Sequence, residues 1–134
     1  MTGFDEIKIP WDGWTIVREI GQGSFGTVYV IERRLLSTTE KAAMKVISIP
    51  KDESEFELFL FASGYDEASA EDSINKELQR VEREYAVMSR MRGISNIVSC
   101  EDFAYRKKDN GKGYVIYIRM ELMRSLQSVI KEKR

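Results

Sequence analysis

Three glycines stand close together near the start of the chain, in the run GQGSFGTV at positions 21–28. Glycine has no side chain, so the backbone amides of such a loop can approach an anionic phosphate chain. The spacing is a weak signal by itself, because dinucleotide-binding folds and ordinary hairpin turns also carry it. A dinucleotide-binding fold requires a helix that begins inside the motif, whereas β-branched and aromatic residues follow it here and predict a strand. A Walker A loop is excluded, since no Gly-Lys-Ser/Thr follows.

A lysine stands in the middle of a later apolar run, KAAMKVISI at positions 41–49. The period of two in a strand puts Ala43 and Lys45 on the same face. Burying a lysine is costly unless it has anionic partners. A solvated lysine on an edge strand is the ordinary alternative, but the glycine loop upstream favours bound phosphates as one partner of Lys45.

A second anionic partner is expected on the long helix that follows. We choose Glu84, which the helical spacing places on a half-buried flank between Val81 and Met88, and we hold Glu77 as the second choice. Most helical glutamates are only solvated. The choice of Glu84 therefore depends on the other motifs.

The coarse secondary structure surrounds these residues with strands. Three short β-rich runs with short links predict an antiparallel meander, and two more runs follow the long helix. The predicted strands are 14–20, 27–32, 41–49, 97–105 and 114–120. In the last link, Asn110-Gly111 is predicted to supply the positive-φ residues of a hairpin turn, and Arg106-Lys107-Lys108 is expected to be a solvated hairpin end.

Helical spacing predicts one long amphipathic helix over 73–92, closed at Gly93. The acidic segment 51–73 is predicted to form a short helix and a loop, interrupted at Gly64, and residues 125–134 begin another helix. The fold class is therefore α+β, a five-stranded twisted antiparallel sheet with one long helix packed on a face.

Composition excludes several classes of function. With 21 basic and 22 acidic residues the net charge is -1, so we expect neither nucleic acid nor a membrane as partner. There is no histidine, which excludes Ser-His-Asp and Cys-His catalysis and a histidine-rich metal site. A single cysteine, Cys100, and the lack of a signal-like run at the start favour the cytoplasm.

From Trp14 onwards the sequence resembles the N-terminal lobe of a protein kinase, most closely of the serine/threonine type. GQGSFGTV resembles the glycine-rich loop, AMKV the strand with the phosphate-pairing lysine, and REYAVMSRM the C-helix with its glutamate. SNIV resembles the entry to the fourth strand, and YVIYIRMELM resembles the fifth strand and the hinge. Five motifs in this order make the resemblance strong.

The resemblance implies an ATP site and assigns residues to it. Lys45 and Glu84 would form the catalytic ion pair, Val28 and Ala43 would sandwich the adenine, and Met120 would be a large gatekeeper. The Glu121 carbonyl and the Met123 amide would read the adenine edge, and Cys100 would join the core behind the C-helix. The phosphate-binding residues would be Gly21, Gln22, Gly23, Ser24, Phe25 and Gly26.

The resemblance also implies a domain plan. Residues 1–134 would be one kinase N-terminal lobe, with an extension over 1–13, an insert over 51–73 that lengthens the separation of Lys45 from Glu84, and a hinge with the start of the next helix over 121–134. The catalytic aspartate and the magnesium ligands would belong to a missing C-terminal lobe. Asp102-Phe103-Ala104 looks like a magnesium motif, but it lies inside a predicted strand and is rejected.

Three functions follow from this sequence in order of preference. The first is the ATP-binding lobe of a kinase that phosphorylates a protein hydroxyl in its full-length parent and is inactive as this fragment. The second is a non-catalytic nucleotide-binding or interaction module, and the third is an unrelated β-rich binding domain. ATP binding is expected to be weak, and self-association of the isolated lobe is expected because its cleft, its C-helix and the apolar residues Leu126, Val129 and Ile130 lack an apolar partner.

Overall fold

The computed structural model describes residues 7–23, 26–90 and 100–122. Five strands and two helices follow one another along this part of the chain. They are β1 (Trp14–Gly23), β2 (Gly26–Arg34), β3 (Thr39–Ile49), α1 (Glu53–Ala62), α2 (Glu67–Arg90), β4 (Cys100–Lys107) and β5 (Tyr114–Met120). The predicted order of strands and helices is confirmed, and β5 has the predicted bounds. Residues 97–99 of the predicted fourth strand and the predicted helix at 125–134 lie outside the described residues.

The five strands form one antiparallel sheet in the order β1-β2-β3-β5-β4. The α+β class and the five-stranded antiparallel sheet are therefore confirmed. β3 lies at the centre, between β2 and β5. A lysine on β3 is consequently not on an edge strand, although Lys45 is still partly exposed to solvent.

One face of the sheet, here called the outer face, is covered by the segment that precedes β1. Ile7, Ile9 and Trp11 pack against its buried residues. The guanidinium of Arg119 lies 4.9 Å from the ring centre of Trp11 and 5.1 Å from that of Trp14, distances at which a cation and an aromatic ring attract. The buried core of this face is Trp14, Tyr29, Ile31, Ala42, Met44 and Tyr117. The described part of the predicted extension, residues 7–13, thus packs against the core.

The opposite face, here called the helix face, carries both helices. Its buried core is Ile49, Phe56, Ile74, Val81 and Ile116. The long helix begins at Glu67, earlier than the predicted start near residue 73. Its first turns are polar, and Ala70, which is fully buried, is too small to give an apolar periodicity. The short helix α1 is capped by Asp52, whose side chain accepts a hydrogen bond from the Glu55 amide at 2.9 Å.

The β4–β5 hairpin corrects one of the predictions. Positive φ values occur at Gly111 (75°) and Gly113 (113°), not at Asn110, whose side chain instead accepts a hydrogen bond from the Lys112 amide. A side chain at Gly113 would collide with the Ile49 carbonyl oxygen at the end of β3. Glycine at this position is therefore required by the close approach of two backbones.

The basic end of the same hairpin is exposed at Arg106 and Lys107, as expected, but its lysines also contact distant parts of the chain. Lys107 forms an ion pair with Glu71 of α2 at 3.1 Å, and Lys108 donates a hydrogen bond to the Pro50 carbonyl. Burial lowers the pKa of Lys108, although nearby acidic residues oppose this. The run Arg106-Lys107-Lys108 shows only that three basic residues are adjacent. It does not indicate that Glu71, in the acidic segment, packs next to them.

Candidate functional site

A cleft of about 1060 Å³ opens on the helix face, between the sheet and the two helices. This is at the upper end of the size range of small-molecule sites in proteins. Its apolar lining includes Ile47, Ile49, Phe59, Val81, Ile118 and Met120, and its charged lining comprises Lys45, Lys51, Glu55, Glu77, Arg80 and Glu84. Gln22, Gly26 and Thr27 close one end. The cleft therefore combines an apolar floor with cations and carboxylates.

Lys45 is positioned on this cleft by the register of three strands. It lies opposite Val28 on β2 and opposite Ile118 on β5, so its side chain shares the helix face with theirs. The residue is half-buried. The glycine-rich run forms the end of β1 and the start of β2, so both strands extend into the motif, and Ser24 and Phe25 between them lie outside the described residues. Gln22, Gly26 and Thr27 of this run line the same cleft as Lys45.

Gly26 and Gly21 differ in whether the fold leaves room for a side chain. Gly26 has φ +133°, and a side chain there would collide with the carbonyl oxygen of Val46, the residue after Lys45. Gly21 has no such constraint, because a Cβ built on it meets nothing within 4 Å. The fold therefore demands glycine at position 26 and leaves position 21 unexplained. Open space at Gly21 is what the approach of a ligand would need.

The acidic side chains of the cleft are organised by Arg80. Its Nη2 and Nε contact the two carboxylate oxygens of Glu77 at 2.6 and 3.0 Å, and its Nη1 contacts Glu84 at 3.0 Å. The hydrogen bond from Arg80 lowers the pKa of Glu77, and the same contacts raise the pKa of Arg80. Glu84 is not on a half-buried flank as predicted, since 64% of its side chain is exposed.

Arg80 itself was missed at the sequence level, although a signal was present. Charges three and four residues apart on a helix are neighbours, and Glu77, Arg80 and Glu84 have this spacing. The carboxylate predicted for Lys45 thus has an arginine partner on its own helix. Glu84 and Lys45 remain on one cleft.

The other residues assigned to an ATP site are placed as follows. Val28 is half-buried and Ala43 is 2% exposed, and neither belongs to the described lining of the cleft. Glu121 is exposed, and Gly23 pairs with Gly26 across the β1–β2 hairpin. Ser24, Phe25 and Met123 lie outside the described residues.

Two further features of the site concern Cys100 and Asp102. Cys100 is buried at 1% exposure beside the cleft, and burial raises the pKa of its thiol. It is therefore a poor nucleophile at neutral pH. Asp102 lies in β4 as predicted, and its carboxylate accepts the amide hydrogen of Phe103 at 2.8 Å.

Comparison with known proteins adds no assignment: the chain matches no family model and no curated protein. In the part of the chain that the structure describes, neither helix has the length and apolar character needed to cross a membrane.

Proposed function

We propose that this chain is the ATP-binding N-terminal lobe of a serine/threonine protein kinase. The observation that carries the proposal is that Lys45, on the central strand of the sheet, and the glycine-rich hairpin end line one cleft with two helical glutamates. Five sequence motifs in the order of the kinase lobe support it, as does the α+β fold. In a longer protein with a second lobe, the γ-phosphate would pass to a protein hydroxyl.

In this function Lys45 binds phosphate oxygens, because an ammonium group is a compact donor for them. The amides of the glycine-rich hairpin end would bind the same phosphate chain, and the open space at Gly21 would let the ligand come close. Glu84 would hold Lys45 in place. Arg80 contacts Glu84 through one carboxylate oxygen, Oε1, so in that role the carboxylate would be shared by the two cations or contested between them.

The apolar part of the cleft would receive the purine ring. Met120, at the end of β5, and Ile118 lie on the cleft beside Lys45, so the ring and the phosphates would each have a suitable environment. Magnesium would be bound through ATP and by carboxylates of the second lobe. Within the described residues, no cluster of three potential ligands could hold a metal ion.

Titration calorimetry with Mg-ATP tests the proposal. We expect weak but measurable binding, and Lys45→Ala should weaken it about tenfold or more, since a hydrogen bond between charged groups contributes about 1.5–3 kcal/mol. Lys41→Ala is the matched control, because Lys41 is an exposed lysine on the same strand and should not matter. Tight binding that survives Lys45→Ala would contradict the proposal.

A non-catalytic interaction module remains the second candidate, and the pairing of Glu84 with Arg80 favours it. Arg80 already pairs with both acidic residues that α2 contributes to the cleft, so these two residues do not need a nucleotide-bound cation as partner. The two candidates differ in calorimetry. If wild-type protein that is folded by circular dichroism binds no nucleotide at millimolar concentration, the second candidate replaces the first.

A further inference from the structure

Helix α1 carries large apolar side chains on two opposite sides. Phe56 faces the core and is 8% exposed, whereas Leu58 and Phe61 are 67% and 68% exposed. Tyr65, just after the helix, is 68% exposed, and its ring meets that of Phe61 edge-on at 6.0 Å. Leu58, Phe61 and Tyr65 are called here the α1 surface. A helix that is apolar on both sides is usually covered on both.

The α1 surface lies in the most acidic part of the chain. Residues 52–75 contain eight acidic side chains and no basic one. Glu53 and Glu57 are exposed, and Glu57 lies one helical turn before Phe61. Among the described residues, neither of these two glutamates has an ion pair. The apolar side chains are therefore bordered by negative charge that is not neutralised locally.

On the other side of the same insert, acidic and aromatic side chains contact lysines. There Lys112 stands over the Phe56 ring at 5.0 Å, Lys107 pairs with Glu71, and Lys108 reaches the Pro50 carbonyl. Acidic and aromatic side chains of the insert are thus covered by lysines of the β4–β5 hairpin. The α1 surface presents the same kinds of group without such a cover among the described residues.

We propose that the α1 surface binds a basic amphipathic segment of a partner protein, with apolar side chains against Leu58, Phe61 and Tyr65 and lysines or arginines against Glu53 and Glu57. Charge complementarity selects this partner. A second copy would bring the same acidic border against itself, and an anionic lipid surface would be repelled for the same reason. Leu58 also lines the cleft, but Phe61 and Tyr65 do not, and the proposal does not depend on the nucleotide function of the cleft.

The probe is a fluorescein-labelled peptide of about 14 residues, built from leucine and lysine at helical spacing. Its partner probe has glutamate in place of every lysine. Fluorescence anisotropy should show that the lysine probe binds and the glutamate probe does not. Binding should weaken strongly as salt rises to about 0.5 M, because exposed charges are screened.

Two substitutions on the α1 surface and two matched controls locate the site. Phe61→Ser should weaken binding of the lysine probe roughly tenfold, as removal of a central aromatic contact does at interfaces. Glu57→Lys should weaken it several-fold at low salt and much less at high salt. Leu36→Ser removes a fully exposed apolar side chain from the β2–β3 turn, and Glu82→Lys reverses an exposed acid on α2. Neither control should change binding.

Circular dichroism and thermal melting of each variant show whether it is folded, and amide shifts at positions 57–65 in NMR spectra report the contact directly. The proposal fails if both probes bind equally, if the controls weaken binding as much as Phe61→Ser, or if the lysine probe does not shift these amides. Sedimentation that shows a dimer lost in Phe61→Ser would assign the surface to a second copy and would overturn the proposal.

Discussion

The two faces of the sheet are built for different purposes. On the outer face the segment before β1 covers the strands, and Trp14 at 5% exposure packs against Tyr29, Met44 and Tyr117. On the helix face a similar apolar core is interrupted by the cleft, where half-buried and exposed charged residues face one another. The comparison indicates that stability comes from closing one face, while the capacity to bind comes from leaving part of the other open.

The largest effect is expected on the closed face, with Trp14→Ala. This removes a buried ring and its contacts with the Arg33 and Arg119 guanidinium groups, so the free energy of unfolding should fall by about 3–5 kcal/mol. Trp14→Phe is the matched variant, since Nε1 of Trp14 has no hydrogen-bond partner among the described residues. Trp14→Phe should lower the free energy of unfolding clearly less than Trp14→Ala does. Urea unfolding measures both, and equal losses would mean that the ring packing is not the cause.

Gly26, which lines the cleft, and Gly21, in the same hairpin, provide the next test. Gly26→Ala should lower the free energy of unfolding by about 1–3 kcal/mol, because it adds a side chain at positive φ against the Val46 carbonyl. Gly21→Ala should change stability by no more than about 0.5 kcal/mol. Its effect should appear as weaker Mg-ATP binding. The opposite pattern would show that both glycines serve the fold.

The cations of the cleft permit a test that does not depend on nucleotide. If Arg80 competes with Lys45 for Glu84, Arg80→Gln should raise the yield of a zero-length carbodiimide cross-link between Lys45 and Glu84 several-fold, measured by mass spectrometry. Lys76→Gln is the control, because it removes a similarly spaced ion pair with Asp72 from the same helix. A cross-link yield that is unchanged in Arg80→Gln would show that Arg80 does not compete with Lys45 for Glu84.

The smallest effect concerns the dependence of stability on pH. The hydrogen bond from Arg80 lowers the pKa of Glu77 below its ordinary value of 4.5. The folded state therefore favours the ionised form, so this contribution is present above that value and is lost as pH falls through the lowered pKa. Glu77→Gln should reduce the fall in melting temperature between about pH 5 and pH 3. A steeper fall in the variant would contradict this sign.

Apolar periodicity predicted the strands and most of α2, because runs such as KAAMKVISI and YVIYIRM carry β-branched and apolar residues in series. It could not find the start of α2, where Ala70 is the buried residue of a polar segment. Apolar periodicity also could not predict the positive φ of 62° at Tyr65, next to Gly64, since tyrosine rarely adopts this conformation.

The sequence predicted that Lys45 lies near the glycine-rich run, but it did not predict the ion-pair partners of the charged residues around the cleft. Placing Lys45 beside the glycine-rich hairpin end needed only the strand order, which local patterns predicted. The partners of Glu84 are the side chains that lie within about 4 Å after folding. Arg80 is one of them because it lies four residues away on the same helix. The docking of Lys107 and Lys108 depends on contacts between distant segments, which no local pattern contains.

The docked hairpin also has a consequence for the order in which the chain folds. The contact from Lys108 to Pro50 joins residues 58 positions apart, and that from Lys107 to Glu71 joins residues 36 positions apart. Closing such long loops costs entropy before any contact compensates, so these links are expected to form late. Until the hairpin docks, Lys112 does not cover the Phe56 ring, and this ring would add to the apolar surface that Leu58, Phe61 and Tyr65 expose. Exposed apolar surface of this kind favours aggregation during folding.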